Sequence, residues 1–513
     1  MKKIYLSLML LGAMTFASCD MDKTEYGKLD DQTAISGVSD LRQFRNNIYT
    51  SLRSVTTGAW IYDSDIQMDE FHGLINNANR KGILSNGLFN SSDSDIKGFW
   101  SGYYSVIASN NSLIEHAEEL GANESLSAAD KAAVTRYNGE AHFMRAYMYF
   151  LLADKFCQPY TQCDPSAAAT GMPISLKYEP TGDISKYPSR STLEETYAQI
   201  ESDLKVAYDD IKAYELSGAS DVATLTAPNA AYISSYAVEA LQARVALTKG
   251  DWATAGTKAK DVISSGNYSL TTIDNYAKLW SEDEGTEVIF RPFQSTTELA
   301  GSPAAPYVSE SETSADYIPT YGTLSLFASE DGDIRFSTFF KVYNLEIEGS
   351  QYQAYAFVKY PGNVDLRSDP SKNNFANMAK PFRLSEMYLI AAEAAARQNN
   401  ISEANSYLNT FLKNRIDGYE QNNFSANTIL SRILDERQKE FIGEGMRMSD
   451  VRRLGKGFTR TANHEENPSL DNVVVKAGRA LTYSAKDYRL TWPIPKEEID
   501  ANPKLAKEQN PGY

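Results

Sequence analysis

The sequence predicts a mostly α-helical protein: about four tetratricopeptide-like helix pairs, with an irregular, loop-rich region laid over them. Three observations carry this. Residues 240–263 (ALQARVALTKGDWATAGTKAKDVI) read as helix, Lys249-Gly250-Asp251 turn and helix, and residues 386–415 (EMYLIAAEAAARQNNISEANSYLNTFLKNR) repeat that plan. Residues 136–156 place Ala141, Ala146, Tyr149 and Ala153 at helical spacing, the mixture of small and aromatic side chains that suits close helix–helix packing. Two segments, 58–99 and 271–380, carry few helical signals and are rich in Asn, Ser, Gly, Asp and aromatics, so they read as turns, short strands and loops.

Taken in order, the chain opens with Lys2-Lys3, an apolar run from Ile4 to Phe16, and Ala17-Ser18-Cys19. A basic head, a short apolar stretch and small residues at the cut predict a secretory signal over residues 1–18. The run is shorter than the roughly 20 apolar residues of a membrane span. Cleavage before Cys19 and diacylation of its thiol are expected, since several acyl chains anchor a protein stably. Helical scaffold is then expected over about 40–57, 100–270 and 380–455, with loop-rich regions over about 58–99 and 271–380. A first pair around Trp100 to Glu119 leads into the 136–156 helix, and Pro188-Ser189-Arg190-Ser191-Thr192 caps the next, with Glu194 and Glu195 in its first turn. In both repeated pairs an alanine stands five residues past the turn, Ala255 after Gly250 and Ala404 after Asn399. A small residue there lets antiparallel helices approach, the logic of repeats of about 34 residues. Trp100, Trp252 and Trp492 read as structural. Residues 456–513 form a C-terminal docking segment, in which Trp492-Pro493-Ile494-Pro495 is stiff and apolar and Asn510-Pro511-Gly512-Tyr513 is a turn with an aromatic anchor.

Composition narrows the function. At 513 residues the chain exceeds what one core usually supports, roughly 250–300 residues, so it divides or stacks. A net charge of −17 argues against nucleic acid and against direct docking on acidic membranes. The 32 tyrosines offer flat faces with polar tips, useful to sugars, peptides and helical cores alike. Of three cysteines, Cys157 and Cys163 remain after Cys19; a local disulfide is the simpler reading and two free thiols the other. The four histidines, His72, His116, His142 and His464, make no H-E-x-x-H, and there is no G-x-S-x-G elbow, Walker loop or complete G-x-G-x-x-G. No cofactor is expected. The pairs Asp63/Asp65, Asp93/Asp95 and Asp331/Asp333 fall short of a twelve-residue calcium loop and leave a structural calcium ion open. Glu436, Arg437, Glu440, Glu444, Arg447, Asp450 and Arg452 set opposite charges on neighbouring turns, with Gly443 and Gly445 ending the helix. That run reads as a structural network, not a catalytic site.

Several long stretches resemble the SusD/RagB family of outer-membrane nutrient-binding lipoproteins. The ending LTWPIPKEEIDANPKLAKEQNPGY is similar to the family's C-terminus. GEAHFMRAYMYFLLADKFCQPY resembles its alanine- and arginine-bearing helix and turn, with Cys157 where glycine is usual. YPSRSTLEETYAQIESDL, PFRLSEMYLIAAEAAARQNN and ILDERQKEFIGEGMRMSDVRRLGKG resemble its further helices, in the expected order. The resemblance implies a non-enzymatic lipoprotein on the cell surface that captures oligosaccharides and hands them to a SusC-like TonB-dependent transporter. It further implies ligand sites in the loop-rich segments, opposite the repeats, but assigns no contact by position.

Carbohydrate sites pair aromatic platforms with planar polar groups that bind hydroxyls. Trp60, Tyr62, Asp65, His72, Asn76 and Asn77 supply that mixture in the first segment, and Tyr307, Tyr317 and Tyr321 in the second. These are the expected ligand contacts. Peptide capture, which some family members perform, is the second reading. A surface glycosidase is the third, because 67 acidic residues supply many carboxylate pairs.

Overall fold

The computed structural model describes residues 35–513. The leader and Cys19 lie outside the described residues, as does the side chain of Asn77. Helix α1 (Val38–Val55) buries Leu41, Arg45, Ile48, Leu52 and Val55 at three- and four-residue spacing, and α2 (Ala59–Gln67) follows it. The stack proper comprises α3 (Ser94–Gly121), α4 (Ala128–Phe156), α5 (Leu193–Glu215), α6 (Ser235–Lys249), α7 (Trp252–Ser264), α8 (Leu384–Arg397) and α9 (Ile401–Leu412). Each packs against the next, and α1 lies across α3 and α4.

Local chemistry sets these boundaries. Asp93 caps α3 by accepting from the Asp95 and Ile96 amides. Thr192 and Glu195 form a reciprocal capping box on α5. Gly250, at φ +77°, ends α6 in the left-handed conformation that glycine adopts without strain, and Asp251 caps α7. Ala255 and Ala404 are both completely buried, as the antiparallel pairs require. The stack is continuous in space but not in sequence. Helix α7 lies directly on α8, although residues 265–383 intervene. A β-carbon at Gly256 would stand 3.2 Å from the Ala394 methyl, so the smallest residue marks that seam.

The two loop-rich segments are more regular than their composition predicts. The first contains α2. The second contains Ile273–Ser281, Tyr321–Ala328, Ile334–Phe339 and an antiparallel hairpin, Phe340–Ile347 with Ser350–Phe357. Glu348 and Gly349, at φ +49° and +78°, make its two-residue turn, whose twist matches that of the strands. Helix α2 (AWIYDSDIQ) has weak intrinsic propensity. Its terminal carbonyls at Ile66, Gln67 and Met68 accept from the Arg460 guanidinium at 3.0, 3.1 and 2.8 Å. A cap supplied from so far along the chain leaves no local signature.

The C-terminal segment packs on the end of α4. The Trp492 amide donates to Lys155 O (2.8 Å) and its indole N–H to Gln67 Oε1 (2.9 Å). Asn510 donates to the carbonyls of Phe156 and Trp492, both at 2.7 Å. Trp100 is buried as well, and Trp252 is half-buried with the Arg397 guanidinium 5.0 Å from its ring centre.

The expected Cys157–Cys163 disulfide is not present; both thiols are free. Cys157 ends α4 with its sulfur buried 3.8 Å from Arg190 Nη2, and burial pushes the thiol up. The Tyr160–Gln162 turn is held elsewhere, because Thr161 donates to Arg453 O at 2.7 Å.

The charged run lies on α10 (Ile429–Phe441) and α11 (Arg447–Leu454), with Gly443 and Gly445 at φ +76° and +75° between them. It is a buried ionic network. Arg383 pairs with Glu287 (2.8 Å), Glu440 (2.7 Å) and Glu444 (2.5 Å), while Arg415 pairs with Glu440 (2.9 Å) and Glu287 (2.8 Å). Arg335 joins Asp333 and Glu436, and Lys359 joins Glu444. Burial opposes ionisation of Glu440, but Arg415 and Arg383 outweigh it and hold the carboxyl far below the usual range.

Removing one member leaves charges buried and unpaired. Glu440→Ala is therefore expected to lower the unfolding free energy by about 3–5 kcal/mol in denaturant titrations. Asp450, also buried, is opposed by desolvation, yet Arg437 and Arg453 bring its carboxyl down to about 2 from 3.8. A depressed carboxyl stabilises the fold above its unfolded value and loses that contribution as pH falls through the folded one. The stability gap between wild type and Asp450→Asn should thus narrow by about 2 kcal/mol between about pH 5 and pH 2 in the same titrations.

Candidate functional site

The loop layer is organised by a short antiparallel pairing of Phe71–Gly73 with Tyr317–Pro319, His72 opposite Ile318. Tyr317 lies beneath this pairing, buried, and its hydroxyl donates to Arg80 O at 2.8 Å. That bond holds a tight loop in which Ala78, Asn79 and Lys81 have φ of +55°, +56° and +62°. The loop aims two cations outward. Arg80 Nε donates to Asp316 at 2.7 Å, with more than half of the arginine side chain exposed. Lys81 Nζ sits between Asp63 (3.0 Å) and Asp95 (2.6 Å). Burial pushes the Asp63 carboxyl up to about 7 against the pull of Lys81.

Tyr62, half-buried on α2, belongs to the same cluster. Its own burial and then Asp63 raise its phenol, with Lys81 and Arg80 opposing. It therefore stays neutral, able to donate and accept. The arrangement is an aromatic face flanked by paired guanidinium, ammonium and carboxylates in fixed geometry. Such groups donate to and accept from hydroxyls without further ordering of their side chains.

The hairpin extends this surface. Leu345, Ile347 and Ala354 pack with Leu74, Ile318, Val473 and Val474 into a small core. The opposite face sets exposed Val342 across from half-buried Tyr355, and Asn344 across from Gln353, both amides exposed. Phe336 supports Tyr355 edge-on, ring centres 5.6 Å apart. Asn76 Nδ2 donates to Glu346 O (3.2 Å), which ties the 76–81 loop to the hairpin.

The residues expected as ligand contacts separate into two groups. Tyr62, Asn76 and Tyr321 are half-buried with surface to offer, and Trp60 stands at a cleft with one side on Phe99 and Tyr103. Asp65, His72, Tyr307 and Tyr317 are instead buried, which corrects the expectation that they face a ligand. Asp65 accepts from the Gly445 amide (3.0 Å), and burial pushes it up to about 7. His72 Nδ1 lies 2.7 Å from His464 Nε2; burial first, then His464, holds its pKa well below the usual imidazole value. Tyr307 packs against Phe71 and Phe357 at 4.6 and 5.0 Å. An aromatic or polar residue in a loop-rich stretch covers a core as readily as it faces solvent. Composition identifies the type of side chain and says nothing of its direction.

Arg80, Lys81, Asp316, Asn344, Gln353 and Tyr355 were missed. The hairpin had a usable signal in the alternation of KVYNLEI, the Glu348-Gly349 turn and SQYQAYAF. Arg80 and Asp316 had none, because their pairing depends on tertiary contact. As for calcium, among the described residues no group of three or more His, Cys, Asp or Glu is placed to hold a metal ion. Asp93 is spent on capping α3 and Asp333 on Arg335.

Two family matches cover separate parts of the chain. Residues 342–513 match the SusD family, and residues 21–238 match a family described as starch-binding, associating with the outer membrane. No curated protein matches the chain. Among solved structures, a SusD superfamily protein from Bacteroides thetaiotaomicron VPI-5482 is 28% identical, with 91% of this chain and 98% of that one aligned at a TM-score of 0.75. A candidate sugar-binding protein from Bacteroides vulgatus ATCC 8482 is 26% identical over 94% of this chain and all of its own, at 0.76. A repeat stack carrying an inserted loop layer, together with these matches at both ends of the chain, places the protein in the SusD/RagB family.

Proposed function

We propose that this protein captures glycans at the cell surface by non-covalent binding and delivers them to a SusC-like TonB-dependent transporter. The observation that carries the reading is Tyr62, a half-buried aromatic face flanked by the Arg80–Asp316 and Lys81–Asp63 ion pairs. A sugar ring stacks on the tyrosine while the arginine donates to its hydroxyls and the carboxylates accept from them. Tyr355, Asn344 and Gln353 on the hairpin continue the same chemistry for neighbouring rings. The starch-binding description of the family matched by residues 21–238 supports a carbohydrate ligand, as does the 26% identical candidate sugar-binding protein. Membership in the SusD/RagB family supports the transporter as partner, with the helical stack as the contacting face. Among the described residues no helix is long and apolar enough to cross a membrane. The anchor in this reading is the lipid on Cys19, which holds the protein at the outer membrane. An open surface that stacks a few rings binds modestly and exchanges quickly.

The test runs the lipid-free protein through native gels containing single polysaccharides, assays the same mixtures for released reducing ends, and titrates peptides by calorimetry. Retardation by a glycan without product is expected, and Tyr62→Ala and Arg80→Ala should each weaken it by about tenfold with unchanged melting. Release of reducing ends would make the protein a glycosidase. Heat with peptides and no retardation by any glycan would make it a peptide binder.

A further inference from the structure

Behind Trp60 the helical stack and the loop layer do not close completely. A cleft of about 100 Å³ remains, walled mainly by Trp60, Tyr103, Tyr147, Phe150, Trp280 and Tyr360. At about 10–15 Å³ for each water-sized centre, it has room for a group of roughly seven or eight heavy atoms. Tyr62, Arg80 and the hairpin are not part of its wall. It is thus separate from the surface described above.

Most charges on this wall are committed. Arg244 pairs with Glu386 (2.7 Å), Lys380 with Asp283 (2.7 Å), Arg383 with Glu444 (2.5 Å), and Asp154 with Arg452 (3.5 Å). Lys155 is the exception. It is 3% exposed and lines the cleft, yet its ammonium makes no hydrogen bond or ion pair among the described residues. The aromatic rings beside it are Phe99 and Trp492, 5.6 and 5.3 Å from Nζ. Asp154, Asp65 and Asp63 act on it only at longer range, and desolvation draws its pKa down despite them. A second donor is also unspent: the buried Trp280 indole N–H has no acceptor. The face of that indole is covered by Lys359, Lys380 and Arg383 at 4.4, 4.9 and 5.2 Å.

A buried ammonium with no ion-pair or hydrogen-bond partner and an unmet buried N–H are both destabilising. Both deficits have the same sign, donors lacking an acceptor. The wall carries four cations (Lys155, Arg244, Lys380, Arg383) against three carboxylates (Asp154, Glu386, Glu444), a surplus of one positive charge. The complement is a small monoanion with oxygen acceptors and an apolar or ring-shaped remainder.

We propose that the cleft is a binding subsite for a small organic carboxylate, whose oxygens pair with the Lys155 ammonium while the aromatic wall covers its carbon skeleton. The inference does not depend on the glycan reading, because it concerns a different surface and uses monomeric probes. Small hydroxy acids and the C-termini of short peptides share this chemistry, and two pairs of probes of matching size separate them: glycerate against glycerol, and N-acetylglycine against N-acetylglycinamide. Trp60 and Trp280 line the cleft and Trp492 adjoins Lys155, so intrinsic fluorescence reports occupancy, with thermal shift as the second readout. A saturable response to at least one carboxylate, with its neutral partner tenfold weaker or silent, is the expected result. Lys155→Met should lose that response by at least tenfold while melting at or above the wild-type temperature, since it removes a buried charge that no carboxylate pairs directly. Lys155→Arg should retain it within a few-fold. Equal responses to charged and neutral probes, wild-type binding by Lys155→Met, or silence towards both carboxylates up to roughly 10 mM would each overturn the proposal.

Discussion

The architecture depends on charge balance in a place without water. Arg335, Lys359, Arg383, Arg415 and Lys439 meet Glu287, Asp333, Glu436, Glu440 and Glu444, and nearly all of these side chains are sealed from solvent. They come from the inserted segment, from the start of α8, from the end of the 384–415 pair, and from α10 with the turn after it. Taking ions out of water is costly, and partners in good geometry are what offset that cost here. The network therefore works as a register: the inserted segment meets the repeats in one arrangement, and a displaced arrangement would bury unpaired charge.

That register decides what the surface presents. Helix α7 lies on α8 as though nothing separated them, so the insertion must leave and re-enter the stack at one seam. Its strand at Tyr317–Pro319 then pairs with Phe71–Gly73, and Tyr317 pins the Arg80 loop from below. Tyr62 acquires the Arg80–Asp316 pair on its flank, and Trp60 its cleft, from contacts across hundreds of residues. The C-terminal segment closes the arrangement, with Arg460 capping α2 and Trp492 filling the gap between α2, α3 and α4.

The repeats were legible because their determinants are local. A left-handed glycine at 250, caps at Thr192 and Asp251, and alanines at 255 and 404 each act within a few residues of the structure they specify. The charged run around Glu440 was legible in kind, since opposite charges at helical spacing announce a network, although not which distant residues complete it. Helix α2 was missed because its stabilising cap is Arg460, and the disulfide was wrongly expected because proximity in sequence was taken for proximity of two sulfurs. Among the expected contact residues, composition identified aromatic and polar side chains but assigned Asp65, His72, Tyr307 and Tyr317 to a surface they do not reach.

By itself, then, the sequence determined the helical repeats, their turns and the resemblance that names the family. These rest on short-range propensity and on motifs read in order. Only the tertiary structure decided which side of each inserted element faces solvent, which ion pairs flank Tyr62, and that Lys155 is left without a partner in a closed-in cleft. The physical reason is that burial and pairing belong to contacts between distant segments. A side chain's chemistry is written at its own position, while its direction and its partners are set by whatever packs against it.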